Sequence, residues 1–272
     1  MRLVVTGAGG MLGQDVLRGA GGAAVGLTRA ELDVTDRDAV RAALGPEDVV
    51  INCAAWTDVD GAEEHPEAAL RVNRDGARNV AEAAATVIYV SSDYVFDGTK
   101  GTPYVESDPV HPISEYGRSK AEGEGATLDA NPRSHVVRTS WLFGAGGGNF
   151  VDTILRIGAE RDTVRVVDDQ VGQPTYTGHL AHALLDLAES EDFGLHHVSG
   201  KGRCSWYELA RFVFEKAGVD CEVEPCTTAE FPRPAPRPAY SVLGTERTAR
   251  QPTLPRWERG VEDYLAAREV RA

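Results

Sequence analysis

Cysteine is scarce in this 272-residue chain, which contains only Cys53, Cys204, Cys221 and Cys226. None of them forms a C-x-x-C pair, so the sequence offers neither a zinc-site spacing nor the density of a disulfide scaffold, and we expect reduced thiols. No apolar stretch approaches the roughly 18 residues that a membrane span requires. The N-terminal segment enters an apolar strand and lacks the layout of a secretory signal. We therefore expect a globular cytoplasmic protein without a membrane partner.

Basic residues are outnumbered in this chain. The 28 lysines and arginines face 42 aspartates and glutamates, which gives a formal net charge of −14 at pH 7. A field of that sign repels the phosphate backbone of nucleic acids, so we expect no nucleic acid partner. An anionic ligand would have to be bound by local devices, such as helix N-termini and a few arginines.

Short β-rich runs alternate with helical stretches through the first half of the chain. The predicted strands lie at residues 3–6, 24–27, 48–52, 87–90 and 134–138. The predicted helices lie at residues 11–18, 36–44, 66–85 and 115–125. This βαβα order predicts an α/β fold with a doubly wound parallel sheet of the Rossmann type, covered by helices on both faces. Ligands of such sheets bind at the carboxyl ends of the strands, near the switch point of the strand order.

The alternation loosens after residue 148. The predicted elements there are helices at residues 150–159, 177–190, 206–217 and 256–268, and strands at residues 164–167 and 194–198. We therefore expect a Rossmann domain over residues 1–148, which segments near residues 177–200 rejoin. A smaller, interleaved lobe is expected over residues 149–272.

The strongest local motif is GAGGMLG at residues 7–13, between the first strand and the first helix. Glycine at positions 7, 10 and 13 permits a tight turn and lets a pyrophosphate approach the backbone, while the helix N-terminus offers free N–H groups. The required strand–turn–helix context is present. An ordinary strand-to-helix turn is the alternative. The motif predicts that Gly7, Gly10 and Gly13 contact a dinucleotide.

The region after the second strand reads Leu27-Thr28-Arg29, with no carboxylate before Glu31. A site for NAD usually places an acidic residue there to hold the ribose 2′-hydroxyl, whereas an arginine accepts a 2′-phosphate. The sequence thus favours NADPH over NADH, with Arg29 as the residue that selects it. The alternative for Arg29 is a solvated loop position.

A second chemical motif is Tyr116-Gly-Arg-Ser-Lys120 on a predicted helix. The i,i+4 spacing places the phenol and the ammonium on one face, where the lysine charge is expected to lower the pKa of the tyrosine and make it a usable proton donor. With eight tyrosines in the chain, about 0.1 such pairs would arise by chance, so the pair alone is moderately specific.

Hydroxyl groups follow the predicted strand at residues 87–90, which continues as SSDYVF over residues 91–96. The Ser92 hydroxyl would lie at the carboxyl edge of the sheet, where it could hydrogen-bond the substrate oxygen that receives the proton. A strand-end cap is the alternative role for this serine.

Together, the glycine turn, the SSDYVF strand end and the Tyr116–Lys120 pair resemble the extended short-chain dehydrogenase/reductase superfamily. Within it, the chain closely resembles the dTDP-4-dehydrorhamnose reductases, and the resemblance extends from residue 1 to about residue 265. Further matches are TRAELDVTD at 28–36, NCAAWTDVD at 52–60, RTSW at 138–141, GNF at 148–150, DQVGQPT at 169–175 and RPAYSVL at 237–243.

The resemblance implies reduction by NAD(P)H of the C4 ketone of dTDP-4-dehydro-6-deoxy-L-mannose, which yields dTDP-L-rhamnose. It also implies that residues 1–148 bind NADP(H) and that the lobe over residues 149–272 binds the substrate. It implies that Tyr116 donates the proton, that Lys120 binds the nicotinamide ribose and tunes Tyr116, and that Ser92 polarises the ketone. By position in its motifs, it places Met11 and Leu12 with Gly10 at the pyrophosphate, Asp33 and Val34 near the adenine, and Ala54 and Ala55 beside the ribose. The implied contacts of the sugar nucleotide are Ser92, Asp93 and Trp141, with Gln173, Arg233 and Arg237 as candidates from the smaller lobe.

Several alternatives stay open at this stage. The substrate could be another nucleotide-linked 4-keto-6-deoxyhexose, and epimerisation also occurs within the superfamily. The chain could instead be a non-catalytic NADP-binding relative, similar to the regulatory β subunit of methionine adenosyltransferase, although the hydroxyl, tyrosine and lysine together argue against this. NADH stays open as the alternative to NADPH. Some relatives form homodimers through magnesium held by carboxylates, so a homodimer and magnesium stay open, with no residue assigned to the metal.

Overall fold

The computed structural model describes residues 2–248 and 252–269. Its strands are β1 Leu3–Thr6, β2 Ala24–Leu27, β3 Val49–Asn52, β4 Thr86–Ser92, β5 Ser134–Thr139, β6 Leu142–Phe143, β7 Thr163–Val167, β8 Val171–Gly172, β9 Thr175–Tyr176, β10 Gly194–His197, β11 Cys204–Ser205 and β12 Glu222–Cys226. Its helices are α1 Met11–Gly19, α2 Arg37–Ala43, α3 Val59–Glu64, α4 Pro66–Leu70, α5 Ala77–Ala83, α6 Glu115–Ala130, α7 Phe150–Gly158, α8 Thr177–Ala188, α9 Trp206–Ala217 and α10 Trp257–Glu269.

Six strands form one parallel sheet in the order β10–β5–β4–β3–β1–β2. Helices α1 and α8 pack against one face through an apolar cluster that includes Val16 and Leu184. Helices α2 and α5 cover the other face through Val40 and Val80. Every residue of β3 and of β5 is buried, because the sheet is covered on both faces. The predicted doubly wound fold is confirmed.

The predicted continuous helix at residues 66–85 is wrong in its middle. The structure has α4, then a π-helical turn over Arg71–Gly76, and then α5, which ends at Ala83. At this turn the Tyr89 hydroxyl donates to the Asn73 carbonyl (3.0 Å), so that carbonyl is satisfied from outside the helix. Helix α3 was not predicted from the sequence; the Asp58 side chain caps it by accepting from the Gly61 N–H (2.9 Å).

The last third of the chain contributes to two cores. Helix α8 packs on the main sheet, and strand β10 extends that sheet beside β5. Helices α7, α9 and α10 instead pack around a separate apolar cluster. The division at residues 148 and 149 into a cofactor domain and a substrate lobe remains a prediction.

Two further features concern the cysteines and the apolar character of the helices. All four cysteines are free thiols. Within residues 2–248 and 252–269, no helix combines the length and the apolar character that a membrane crossing needs.

A fully buried histidine pair joins β5 to the edge strand β10, which leads to a prediction about acid stability. His135 Nδ1 lies 3.1 Å from His196 Nε2, and the pKa of His135 is lowered to about 4, mainly by burial and then by His196, with Arg247 acting in the same direction and Asp192 against it. The unfolded chain binds this proton at a pKa of about 6.5. Folding stability from this group is therefore complete above pH 6.5, falls as the pH decreases toward 4, and changes no further below that.

Urea unfolding at pH 7.0, 5.5 and 4.5 can measure this effect. The variant His135→Gln cannot titrate, so its unfolding free energy should decrease less between pH 7 and pH 4.5 than that of the wild type. Parallel decreases in the two proteins would show that His135 does not contribute to acid lability.

Candidate active site

A cleft of about 680 Å³ lies along the carboxyl ends of the parallel strands. The glycine turn, the loop after β3, the ends of β4 and β5 and the start of α6 form its walls. The predicted site residues that line it are Gly7, Gly10, Met11, Leu12, Gly13, Arg29, Asp33, Val34, Ala54, Ala55, Ser92, Asp93, Tyr116, Lys120 and Trp141. The fold thus gathers in one cleft residues that are up to 134 positions apart in the chain.

The glycine turn is a cradle that side chains would fill. Gly7 has a φ of +65°, and a Cβ there would lie 2.5 Å from the backbone nitrogen of Ala54. A Cβ on Gly13 would lie 2.5 Å from the Gly7 carbonyl oxygen. The N-cap residue of α1 is Gly10, and no side chain from that position hydrogen-bonds the first N–H groups of the helix. This arrangement suits a bound phosphate.

Polar groups flank the cleft beyond β2. Arg29 is exposed and lines the cleft. Glu31 turns back on Thr28, whose backbone N–H (2.8 Å) and hydroxyl (2.7 Å) donate to its carboxylate. Asp33 accepts from the N–H and the hydroxyl of Thr35, which lowers the pKa of Asp33. Glu31, the first carboxylate after β2, is therefore held by hydrogen bonds within its own turn, while Arg29 lines the cleft.

Tyr116 stands at the second position of α6, where the helix approaches the end of β4. A Cβ on the next residue, Gly117, would lie 2.1 Å from the Tyr94 carbonyl oxygen, so the close approach requires glycine. Burial raises the pKa of Tyr116 to about 12, and a hydrogen bond with Ser92 opposes that shift while Asp93 adds to it. The expected lowering of this pKa by Lys120 was wrong for this structure, because desolvation of the phenol dominates and Lys120 is not among the causes.

Lys120 is a buried ammonium one turn after Tyr116, with 2 % of its surface exposed. Its Nζ donates to the Val90 carbonyl (2.7 Å) and lies 4.3 Å from the centre of the Tyr89 ring. Burial lowers the pKa of Lys120 to about 7, although Glu124 and Cys53 oppose that shift. A lysine that titrates near neutral pH can exchange protons with its surroundings.

Asp93 is a buried carboxyl beside the predicted catalytic hydroxyl. Ser92 Oγ donates to Asp93 Oδ1 (3.1 Å) and accepts from the Tyr94 N–H (3.2 Å). The Ser241 hydroxyl, which is 148 positions away in the chain, donates to the other carboxyl oxygen. Burial raises the pKa of Asp93 to about 7, against the hydrogen bonds from Ser241 and Ser92.

Three predicted substrate contacts, Gln173, Arg233 and Arg237, do not line the cleft. The Gln173 side-chain oxygen accepts from the Leu243 N–H and the Ser199 hydroxyl, both at 2.8 Å, so its amide holds two segments of backbone together. Arg237 pairs with Asp60 (2.6 Å), and Arg233 pairs with the same carboxylate. These contacts lower the pKa of Asp60. In this conformation all three residues have structural partners, and their contacts with substrate remain predictions.

Some cleft residues were not found from the sequence. Trp206, Tyr94 and Thr57 line the cleft. Tyr94 lies inside the SSDYVF motif, which could have indicated it. Trp206 opens a helix far along the chain and has no local chemical signal, because only the tertiary fold brings it to the cleft.

The described ranges contain no group of three or more His, Cys, Asp and Glu side chains arranged to hold a metal ion. We assign no residue to magnesium.

Comparison with known proteins adds independent findings. Residues 1–270 match the family model described as RmlD substrate binding domain. The dTDP-4-dehydrorhamnose reductase of Mycolicibacterium smegmatis is 44% identical, over 98% of this chain and 85% of that protein. The dTDP-4-keto-6-deoxy-D-glucose reductase of Streptomyces niveus is 43% identical, over 89% of this chain and 88% of that protein. The crystal structure of the Bacillus anthracis dTDP-4-dehydrorhamnose reductase in complex with NADP is 36% identical, with a TM-score of 0.93 over 98% of this chain and 99% of that chain.

Proposed function

The chain belongs to the dTDP-4-dehydrorhamnose reductase family, and we propose that it uses NADPH to reduce the C4 ketone of dTDP-4-dehydrorhamnose, which yields dTDP-L-rhamnose. The observation that carries this proposal is the shared cleft, which the glycine turn lines together with Ser92, Tyr116 and Lys120. Reduction of a ketone beside a nicotinamide needs a dinucleotide site and a proton donor next to each other.

We assign the proton donation to Tyr116. The reaction adds one hydride to C4 and one proton to the ketone oxygen, so a side chain must deliver the proton. With its pKa raised to about 12, the Tyr116 phenol is protonated at neutral pH, which is the form that a donor needs. Ser92 would hydrogen-bond the same ketone oxygen, and Lys120 would bind the nicotinamide ribose.

The cleft fits a dinucleotide because the glycine cradle leaves the backbone open. When bound, NADPH supplies the hydride for C4. The residues that would hold it are Gly7, Gly10, Met11, Leu12, Gly13, Arg29, Asp33, Val34, Ala54, Ala55, Tyr116 and Lys120. NADP in the Bacillus anthracis relative supports this choice of cofactor.

Arg29 is the residue that we expect to select NADPH. The variant Arg29→Asp should raise the KM for NADPH by about 10-fold and improve the use of NADH, because it replaces a cation with a carboxylate that suits the free 2′-hydroxyl. Initial rates with each cofactor measure the change. Arg161→Asp, at an exposed position, controls for the altered net charge. Unchanged Michaelis constants for both cofactors would remove Arg29 from the site.

A different keto sugar is the second candidate substrate, because a relative at 43% identity acts on dTDP-4-keto-6-deoxy-D-glucose. We expect the higher kcat/KM with dTDP-4-dehydrorhamnose, and the product is identified by NMR as dTDP-L-rhamnose. A higher kcat/KM with the D-glucose derivative would reassign the substrate. A chain that binds NADPH and reduces neither sugar would instead be the non-catalytic relative.

A homodimer held by magnesium stays a proposal from the family resemblance. Sedimentation velocity with and without a chelator tests it. A dimer that dissociates on chelation would support the proposal, and a monomer under both conditions would reject it.

A further inference from the structure

Trp141 has a strained backbone. Its φ of +46° is the only positive φ of a non-glycine residue within residues 2–248 and 252–269. A bulky residue keeps such a conformation only where its surroundings enforce it, and such positions cluster at functional sites. Part of the enforcement is a hydrogen bond from the Thr175 N–H to the Trp141 carbonyl (3.1 Å). The strained backbone therefore indicates that the position of the Trp141 side chain is constrained for function.

The Trp141 indole packs closely against two neighbours. The Trp206 ring stacks on it, with centroids 3.5 Å apart and planes within 5°. The backbone of Gly172 also lies against the indole, where a Cβ would come within 2.4 Å of the Trp141 ring. Glycine at position 172 therefore leaves the space that the indole occupies, and Trp206 covers one face of the ring.

Trp206 is itself fixed by the smaller lobe. Strand β11 pairs with β8 so that Cys204 lies opposite Gly172, and α9 begins immediately afterwards at Trp206. The Trp206 Nε1 donates to Gln170 Oε1 (3.2 Å), and the Phe150 ring packs against the indole at 4.7 Å. The pairing of β8 with β11 thus brings both Gly172 and Trp206 to Trp141.

The stacked pair of Trp141 and Trp206 lies close to the predicted reaction centre. Ser92 at the end of β4 is in register with Thr139 of β5, and Trp141 follows two residues later. Both indoles line the same cleft as Tyr116. We propose that Trp206 is a positioning residue, which holds Trp141 at the wall of the keto-sugar pocket and thereby sets the affinity for the sugar nucleotide. This inference rests on the proposed function, because the keto sugar is its ligand.

The test compares Trp206→Ala and Trp206→Phe with the wild type. The alanine variant should lower kcat/KM for dTDP-4-dehydrorhamnose by about 10-fold, mainly through KM, because a displaced pocket wall weakens sugar binding. The Kd for NADPH should stay unchanged, and phenylalanine should restore most of the loss by stacking on Trp141. Trp257→Phe, a buried tryptophan that does not line the cleft, is the matched control.

A double variant shows whether Trp206 acts through Trp141. If it does, Trp141→Ala with Trp206→Ala should lose no more kcat/KM than Trp141→Ala alone. Losses that multiply, an unchanged KM in Trp206→Ala, or an equal weakening of NADPH binding would overturn the inference.

A crystal structure of Trp206→Ala separates this inference from the proposed function. Absence of wild-type turnover would contradict the function alone. A Trp141 indole that keeps its position in the variant would overturn the positioning role, whatever the substrate is.

Discussion

Replacement of Tyr116 by phenylalanine is expected to lower kcat by about 10²- to 10⁴-fold while the Kd for NADPH changes much less than kcat. Phenylalanine preserves the partly buried ring, which contacts Tyr94 edge-to-face with centroids 5.9 Å apart, and removes only the hydroxyl. The lost rate would therefore report the missing proton and not a disturbed helix. Stopped-flow measurement of keto-sugar reduction gives the rate, and fluorescence titration with NADPH gives the Kd.

Tyr207→Phe is the control for this variant, because Tyr207 belongs to α9 and does not line the cleft. Its kcat should match that of the wild type. Full activity of Tyr116→Phe would reject Tyr116 as the proton donor and would direct attention to the neighbouring groups with shifted pKa values, Asp93 and Lys120.

The second large effect concerns stability. The Glu124 carboxylate binds Arg138 through two hydrogen bonds of 2.9 and 2.6 Å, and both residues are at least 96 % buried. The Ser91 hydroxyl also donates to Glu124, so this carboxylate joins α6 to the ends of β4 and β5. Glu124→Ala leaves the Arg138 guanidinium buried without its counter-ion, and we expect the unfolding free energy to fall by about 3–5 kcal/mol.

A second ion pair on the same helix provides a matched control. Glu122 pairs with Arg118 (3.1 Å) and with Arg74 (3.0 Å), but its side chain is 36% exposed. Glu122→Ala should therefore cost about 1 kcal/mol or less in urea unfolding. Equal losses in the two variants would show that burial does not amplify the Glu124–Arg138 interaction.

The sheet and the cofactor turn were predictable because their signals are local. Strands covered on both faces are apolar almost throughout, and β1 and β3 show this in sequence. The turn before α1 needs glycine at positions 7 and 13 for steric reasons that any sequence with this turn would share. The i,i+4 spacing of Tyr116 and Lys120 likewise depends on one helix only.

Features that depend on tertiary contacts were not predictable. The π-helical turn at Arg71–Gly76 involves Tyr89 from a different element. Trp206 reaches the cleft through the pairing of β11 with β8. The high pKa of Tyr116 arises from burial, which the spacing to Lys120 does not reveal. Arg237 could be recognised as a cation, but its pairing with Asp60 required the fold.

The central claim is that one cleft unites a cofactor turn with a proton-donating tyrosine and reduces a sugar ketone. The most direct measurement is the NADPH absorbance after dTDP-4-dehydrorhamnose is added to the purified wild-type protein, followed by NMR of the product. We predict that NADPH is consumed in a one-to-one ratio with the dTDP-L-rhamnose formed. Stable absorbance with a protein that binds both NADPH and the sugar nucleotide would contradict the claim.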